Sequence, residues 1–250
     1  MYELWRASAL SSMRPREIML VTDFDGTLAE IASDPTEAHI VPASLAALRR
    51  LAMLFRNVVV LSSRPAADLE RLVPLRGIDL IGDSGLVDIT SDERARLDVF
   101  NVKAAQLLSG FAGLWLEIKP AGTAVHHRHA QVDPAEILRL IMPLLQSTHL
   151  RGQPGRRVIE VIPRDHPKGD ALAALIERRQ PEGIICLGDD ENDRPMFDYV
   201  GRLGRPHLTV GVASDEARAD LFAGCDLVVS GPEEVSRFLT MLAEWATTTG

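Results

Sequence analysis

Six short apolar runs punctuate the chain, at 18–24, 57–62, 78–82, 183–188, 207–212 and 227–230. Each is apolar nearly throughout and not only at alternate positions, which is the pattern of strands covered on both faces. Between them apolar residues recur at helical spacing. Leu45, Leu48, Ala52 and Phe55 do so across 42–55, and 232–245 reads the same way, with Pro232 suited to a first turn. Strands alternating with helices predict an α/β fold built on a doubly wound parallel sheet.

The interval 87–163 has a different rhythm, because its strand candidates alternate. In 114–119, Leu116 and Ile118 point one way while Trp115, Glu117 and Lys119 point the other. Val158, Glu160 and Ile162 oppose Ile159 and Val161 in the same manner, and a helix is expected at 134–147. This predicts a small α+β cap domain, 87–163, inserted into a core formed by 17–86 and 164–250, with one polar sheet face able to close over a site. Residues 1–16 read as a tail, and the Thr-rich end from Thr247 as frayed.

A length of 250 residues allows this two-part plan. The charge balance, 35 Asp+Glu against 27 Lys+Arg without a basic block, argues against a nucleic-acid or anionic-membrane surface, so an anionic substrate has to be met locally. No apolar run approaches the roughly 20 residues of a membrane helix. Cys186 and Cys225 sit in apolar surroundings and read as buried thiols, which favours a reducing, cytoplasmic setting. The sequence does not report oligomeric state, and a monomer is the default expectation.

Candidate chemistry begins with Asp23-Phe24-Asp25-Gly26-Thr27 at the end of the first run. Open α/β sheets bind ligands at their carboxyl ends. Asp23 and Asp25, two apart, share a face, and Gly26 permits a sharp backbone departure. Paired carboxylates repel unless a cation intervenes, and Mg²⁺, an oxygen-seeking ion that also takes phosphate oxygens, suits them. Read alone, this segment has an Asp-rich turn as its lesser alternative. A second acidic cluster, Gly188-Asp189-Asp190-Glu191-Asn192-Asp193, ends another apolar run and shifts the balance towards a metal site. Ser62 ends the second run, and Lys168 opens the helical stretch 169–179. Both suit a phosphoryl group, which needs charge stabilisation and positioning more than covalent novelty. His126, His127 and His129 read as polar-face residues of a strand and not as a metal site.

The four separated motifs, in this order, resemble the haloacid dehalogenase superfamily of phosphatases. The resemblance implies that Asp23 is the nucleophile, Asp25 the general acid and base, Ser62 and Lys168 phosphate binders, and Asp189 a metal ligand. It puts Asp23, Asp25, Asp189, Asp190 and Asp193 around Mg²⁺, with Asp193 either assisting the metal or holding Lys168.

Over about 18–245 the chain is similar to trehalose-6-phosphate phosphatases, through Leu-Ser-Ser-Arg-Pro at 61–65, Leu-Glu-Ile-Lys at 116–119, Val-His-His-Arg at 125–128, Val-Ile-Glu-Val at 158–161, Pro-Lys-Gly at 167–169 and Gly-Asp-Asp at 188–190. This implies a small-molecule sugar phosphate as substrate, with Arg64, Glu117, Lys119, Arg128 and Glu160 binding it. Two stretches depart from the family pattern. Gly82-Asp83-Ser84-Gly85-Leu86-Val87 lacks the His and Glu of Gly-x-His-Gly-x-Glu, and Asn192 and Arg194 replace a Thr and a Glu. The departures keep other glycoside phosphates open as substrates: glucosylglycerol phosphate, sucrose phosphate or mannosyl-3-phosphoglycerate. A phosphomutase and a silent sugar-phosphate binder are the remaining alternatives.

Overall fold

The computed structural model describes residues 1–32, 34–86, 89–155, 157–163, 167–214 and 221–249. In chain order the elements are α1 (Tyr2–Ala7), β1 (Ile18–Thr22), α2 (Pro42–Leu54), β2 (Asn57–Leu61), α3 (Ala66–Leu72), β3 (Asp79–Ile81), α4 (Ser91–Leu108), β4 (Trp115–Ile118), β5 (Thr123–His126), α5 (Pro134–Thr148), β6 (Arg151–Gly155), β7 (Val158–Ile162), α6 (Pro167–Arg179), β8 (Gly183–Gly188), α7 (Arg194–Arg202), β9 (His207–Ala213), β10 (Leu227–Ser230) and α8 (Gly231–Thr249). The chain forms two compact units, Met1–Gly85 with Lys168–Gly250, and Leu86–Pro167. Among the described residues no helix is long and apolar enough to cross a membrane.

In the first unit the continuous apolar runs become a six-stranded sheet, order β10-β9-β8-β1-β2-β3, parallel throughout. Alternate residues serve opposite faces. Ile18, Leu20, Val58 and Val60 pack with α2 and α8 through Leu48, Leu51, Phe238 and Leu239. Met19, Val21, Val59 and Leu61 pack with α6 and α7 through Leu172, Ile176, Met196 and Val200. Both faces are thus covered, which is why the runs are not amphipathic. Chain direction across the sheet reverses between β1 and β8, so the loops that follow these adjacent parallel strands diverge and leave the crevice in which such sheets place their sites.

The ends of the first unit correct two expectations. Residues 1–16 are no tail: Trp5 and Leu10 are buried in the core, and Trp5 meets Trp245 edge-on with ring centroids 4.8 Å apart. The Thr-rich end is helical to Thr249, and Thr247 Oγ1 donates back to the Ala243 carbonyl at 2.6 Å. Burying an indole removes far more apolar surface than the polar residues around it suggest. Cys186 lies in the core, where burial pushes its thiol up. Cys225 is only half-buried, with its thiol pushed up to about 11 by burial and by Asp226.

In the second unit an antiparallel sheet, order β4-β5-β7-β6, is backed by α4 and α5. One face gives Val125, Ile159 and Val161 to a core with Leu97, Phe100, Ile137 and Ile141. The opposite face carries Trp115, Glu117, His126 and Glu160, because the register sets Trp115 across from His126, and Glu117 and Glu160 on either side of Ala124. Ile118 belongs to the apolar face by alternation yet is 66% exposed at the end of the edge strand. His127 departs from the polar-face reading, since it is buried with Nε2 lacking a hydrogen-bond partner among the described residues, and burial, then Arg157, lowers its pKa. Helix α4, which the apolar pattern left unread, opens with a capping box in which Thr90 and Glu93 satisfy each other's backbone amides.

Candidate active site

Strands β1 and β8 are paired with Thr22 beside Leu187, and the amide of Asp23 donates to the Leu187 carbonyl at 3.0 Å, extending the pairing by one residue. Asp23 therefore leaves the sheet next to the strand that delivers Asp189. Phe24, fully buried, anchors the turn that follows, and its carbonyl accepts from Leu28 at 2.8 Å and Ala29 at 3.0 Å. Gly26 sits at φ +75°, a left-handed conformation suited to glycine, and a Cβ there would collide with Asp189 Oδ2. The tight turn is what lets two acidic loops approach.

Oxygens of Asp23, Asp189 and Asp193, all buried, lie within 4.8 Å of one another. Lys168 stands among them at the start of α6, 1% exposed, with Nζ 2.7 Å from Asp23 Oδ1, 2.7 Å from Asp193 Oδ1 and 3.1 Å from Asn192 Oδ1. Burial alone would push Lys168 down, but Asp193 and Asp23 outweigh it and hold the ammonium well above its ordinary range. Burial pushes Asp23 up to about 7, with Lys168 pulling it back. A buried carboxylate cluster with one cation has surplus negative charge, and a second cation relieves it.

The oxygens differ in what already occupies them. Asp193 spends Oδ1 on Lys168 and Oδ2 on the amides of Asp189 at 2.9 Å and Asp190 at 3.1 Å. It is an anchor. Asp23 accepts from Lys168 through Oδ1, and Asp189 accepts through Oδ1 from Thr27 Oγ1 at 3.4 Å. An all-oxygen acidic donor set of this kind fits a hard divalent cation. Asp190 turns aside, since its Oδ1 caps the short turn Glu191–Asp193 by accepting from the Glu191 amide at 2.8 Å.

Asp25 is also drawn away from the cluster. Arg64 grips it with Nε on Oδ2 and Nη2 on Oδ1, both at 2.7 Å, and donates a further bond from Nη1 to the Pro35 carbonyl at 2.8 Å. The fork is nearly buried, whereas Asp25 is about a third exposed. Ser62 is buried, and its Oγ accepts from the Arg64 amide at 3.2 Å. The loop that carries both is laced to the turn after β3. There Asp83 and Ser84 hold φ +51° and +56°, and their amides donate to the carbonyls of Arg64 and Ser62, each at 2.8 Å. Two consecutive non-glycine residues in this region carry strain, which persists where surrounding bonds over-determine it. Asp83 and Ser84 thus occupy the stretch that departs from the family pattern, and Val87 of that stretch lies outside the described residues.

Within the second unit Lys119 and Glu160 form a buried pair at 2.9 Å, and Glu117 Oε2 is 2.8 Å from His126 Nε2. Arg128 is half-buried beyond β5. The expected sugar-binding residues Glu117, Lys119 and Glu160 are thus neighbours on one sheet, while Asp23, Ser62, Arg64, Lys168 and Asp189 belong to the first unit. Reading the sequence did not single out Asn192 as a partner of Lys168, nor Trp115 and His126 as a pair. The first depends on the fold bringing the turn Glu191–Asp193 to the start of α6, and the second depends on cross-strand register.

The family's sequence profile, trehalose-phosphatase, matches residues 21–221. The chain belongs to the trehalose-phosphatase family. Among curated members, trehalose-phosphate phosphatase of Mycobacterium tuberculosis H37Rv is 35% identical over 251 residues, covering 91% of this chain and 62% of its own length. That of Mycobacterium leprae is 32% identical and covers 91% of this chain and 58% of its own. The chain thus spans about three-fifths of these family members. In fold it matches the C-terminal domain of Candida albicans trehalose-6-phosphate phosphatase, with TM-score 0.77, 20% identity, and 97% and 95% of the two chains covered. A trehalose-6-phosphate phosphatase related protein matches with TM-score 0.71 and 21% identity over 93% of this chain and all of the other. The expected α/β core and separate antiparallel sheet are those of the family.

Proposed function

We propose that this protein hydrolyses trehalose 6-phosphate to trehalose and phosphate, with Mg²⁺ as the cation held by Asp23 and Asp189. The observation that carries the reading is the buried cluster of Asp23, Asp189, Asp193 and Lys168 at the β1/β8 crevice of a trehalose-phosphatase family chain. Asp23 attacks phosphorus, forming an Oδ–P bond as the bond from phosphorus to the sugar O6 breaks. Asp25 gives a proton to the departing O6. Asp25 then takes a proton from water as that water attacks phosphorus, and the Asp23 carboxylate leaves with phosphate free. Ser62 Oγ–H and Lys168 Nζ–H bond the phosphoryl oxygens, where charge must be stabilised. Mg²⁺, when bound, supplies positive charge that lowers repulsion between the Asp23 carboxylate and the phosphoryl group.

For the second unit we propose that the polar sheet face, with Glu117, Lys119, Arg128 and Glu160, reads the sugar hydroxyls. The experiment is phosphate release from trehalose 6-phosphate, sucrose 6-phosphate, glucosylglycerol phosphate, mannosyl-3-phosphoglycerate and glucose 6-phosphate, with Mg²⁺ or with EDTA. Mg²⁺-dependent release that favours trehalose 6-phosphate supports the proposal. Preference for another member relocates the substrate, and no release from any of them overturns phosphatase activity.

A further inference from the structure

The polar face of the second unit carries an aromatic residue that the proposed mechanism leaves unused. Trp115, the first residue of β4, is 42% exposed although it is among the largest apolar side chains of the protein. Its indole lies flat on the imidazole of His126, centroids 3.8 Å apart and planes within 7°. His126 is itself fixed through Nε2 to Glu117 Oε2 at 2.8 Å. One indole face is therefore covered. Strand β4 is the edge of its sheet, so among the described residues no further strand flanks Trp115 on the other side.

The same face continues along β4 to Glu117 and then to Lys119, which pairs with Glu160. From Trp115 to Lys119 the strand advances four residues, about 13 Å at 3.3 Å per residue, a span that two linked pyranose rings can bridge. A flat aromatic surface meets the C–H face of a sugar ring, and flanking carboxylate and ammonium groups meet its hydroxyls. A cross-strand pair kept only for sheet stability would pack without needing a rigid, oriented and half-exposed indole.

We propose that Trp115, held flat by His126 and Glu117, is a stacking platform for the non-phosphorylated sugar ring, and so selects a disaccharide phosphate over a monosaccharide phosphate. This rests on the sugar-phosphatase reading above. The test is steady-state hydrolysis of trehalose 6-phosphate by wild type, Trp115→Phe, Trp115→Leu and Trp115→Ala, with the fold of each followed by circular dichroism. A platform predicts that KM rises about tenfold in the Leu and Ala variants, the scale of one aromatic contact, while kcat moves less than about twofold and Phe restores most of the loss. The Leu and Phe variants, both apolar and large, keep the comparison decisive if Ala fails to fold. Wild-type KM in Trp115→Leu, or equal defects in Leu and Phe, overturns the platform alone. Absence of turnover by wild type overturns the sugar-phosphatase reading beneath it.

Discussion

Arg64 holds Asp25 by both carboxylate oxygens at 2.7 Å, so the residue proposed to move protons is tied to a guanidinium and not to the acidic cluster. The bidentate fork fixes where the Asp25 carboxylate points. Replacing Asp25 with Asn should leave folding intact and lower turnover of trehalose 6-phosphate about a hundred- to ten-thousand-fold, the range of a lost general acid and base. The first step with p-nitrophenyl phosphate, whose leaving group needs no proton, should suffer much less. Arg64→Lys cannot reproduce the fork, and should give an intermediate loss on the sugar phosphate. Stopped-flow release of nitrophenol beside phosphate release checks both.

Lys168 bridges two buried carboxylates, and its removal leaves Asp23 and Asp193 facing each other. Lys168→Met should cost about 3–5 kcal/mol of stability, as broken buried ion pairs do. Urea unfolding with and without Mg²⁺ measures it, and the divalent cation should recover more stability in the variant than in the wild type.

Gly26 makes the close approach of the two acidic loops possible. Gly26→Ala forces φ +75° on a residue that resists it and drives a methyl into Asp189. The variant should lose about 1 kcal/mol or more from backbone strain and should bind Mg²⁺ more weakly than the wild type by isothermal titration. Unchanged metal affinity would contradict the role given to this turn.

His127 gives the second unit a pH dependence. Burial, then Arg157, lowers its folded pKa, whereas the unfolded chain binds a proton near pH 6.5. Below that value the unfolded state carries the extra proton, so stability falls with falling pH, and it is fully present above it. Urea midpoints at pH 7.5 and 5.5 should therefore separate in wild type and separate less in His127→Phe.

Much of this site was legible because Asp23, Asp25, Ser62 and Asp189 follow strands whose apolarity is continuous, and Lys168 opens a helical run. Asp23 and Asp189 end runs buried on both faces, and strand ends are where such sheets gather chemistry. The alternation of Trp115, Glu117 and Lys119 against Leu116 and Ile118 likewise announced a sheet with one wet face. What was hidden is what register and loop geometry decide. The Arg64–Asp25 fork joins loops after different strands, and only the folded chain shows that Asp193 is consumed as an anchor while Asp190 caps a turn. Strand β6, Arg-Gly-Gln-Pro-Gly, has a composition that argues against a strand, and pairing with β7 overrides it. The burial of Trp5 depends on Trp245 of α8, and that of Leu10 on β8 and β9, all far along the chain. By contrast Thr90 and Glu93 carried a helix-start signal that the alternating pattern around them obscured.

The most direct test of the account is to mix the Mg²⁺-loaded protein with trehalose 6-phosphate, quench in acid during turnover, reduce with borohydride and sequence the peptide around β1. Reduction turns an acyl phosphate into an alcohol, so homoserine is expected at position 23 in the wild type and nowhere in Asp23→Asn, which should release no phosphate. Phosphate release without modification at position 23, or release by Asp23→Asn at the wild-type rate, would contradict it.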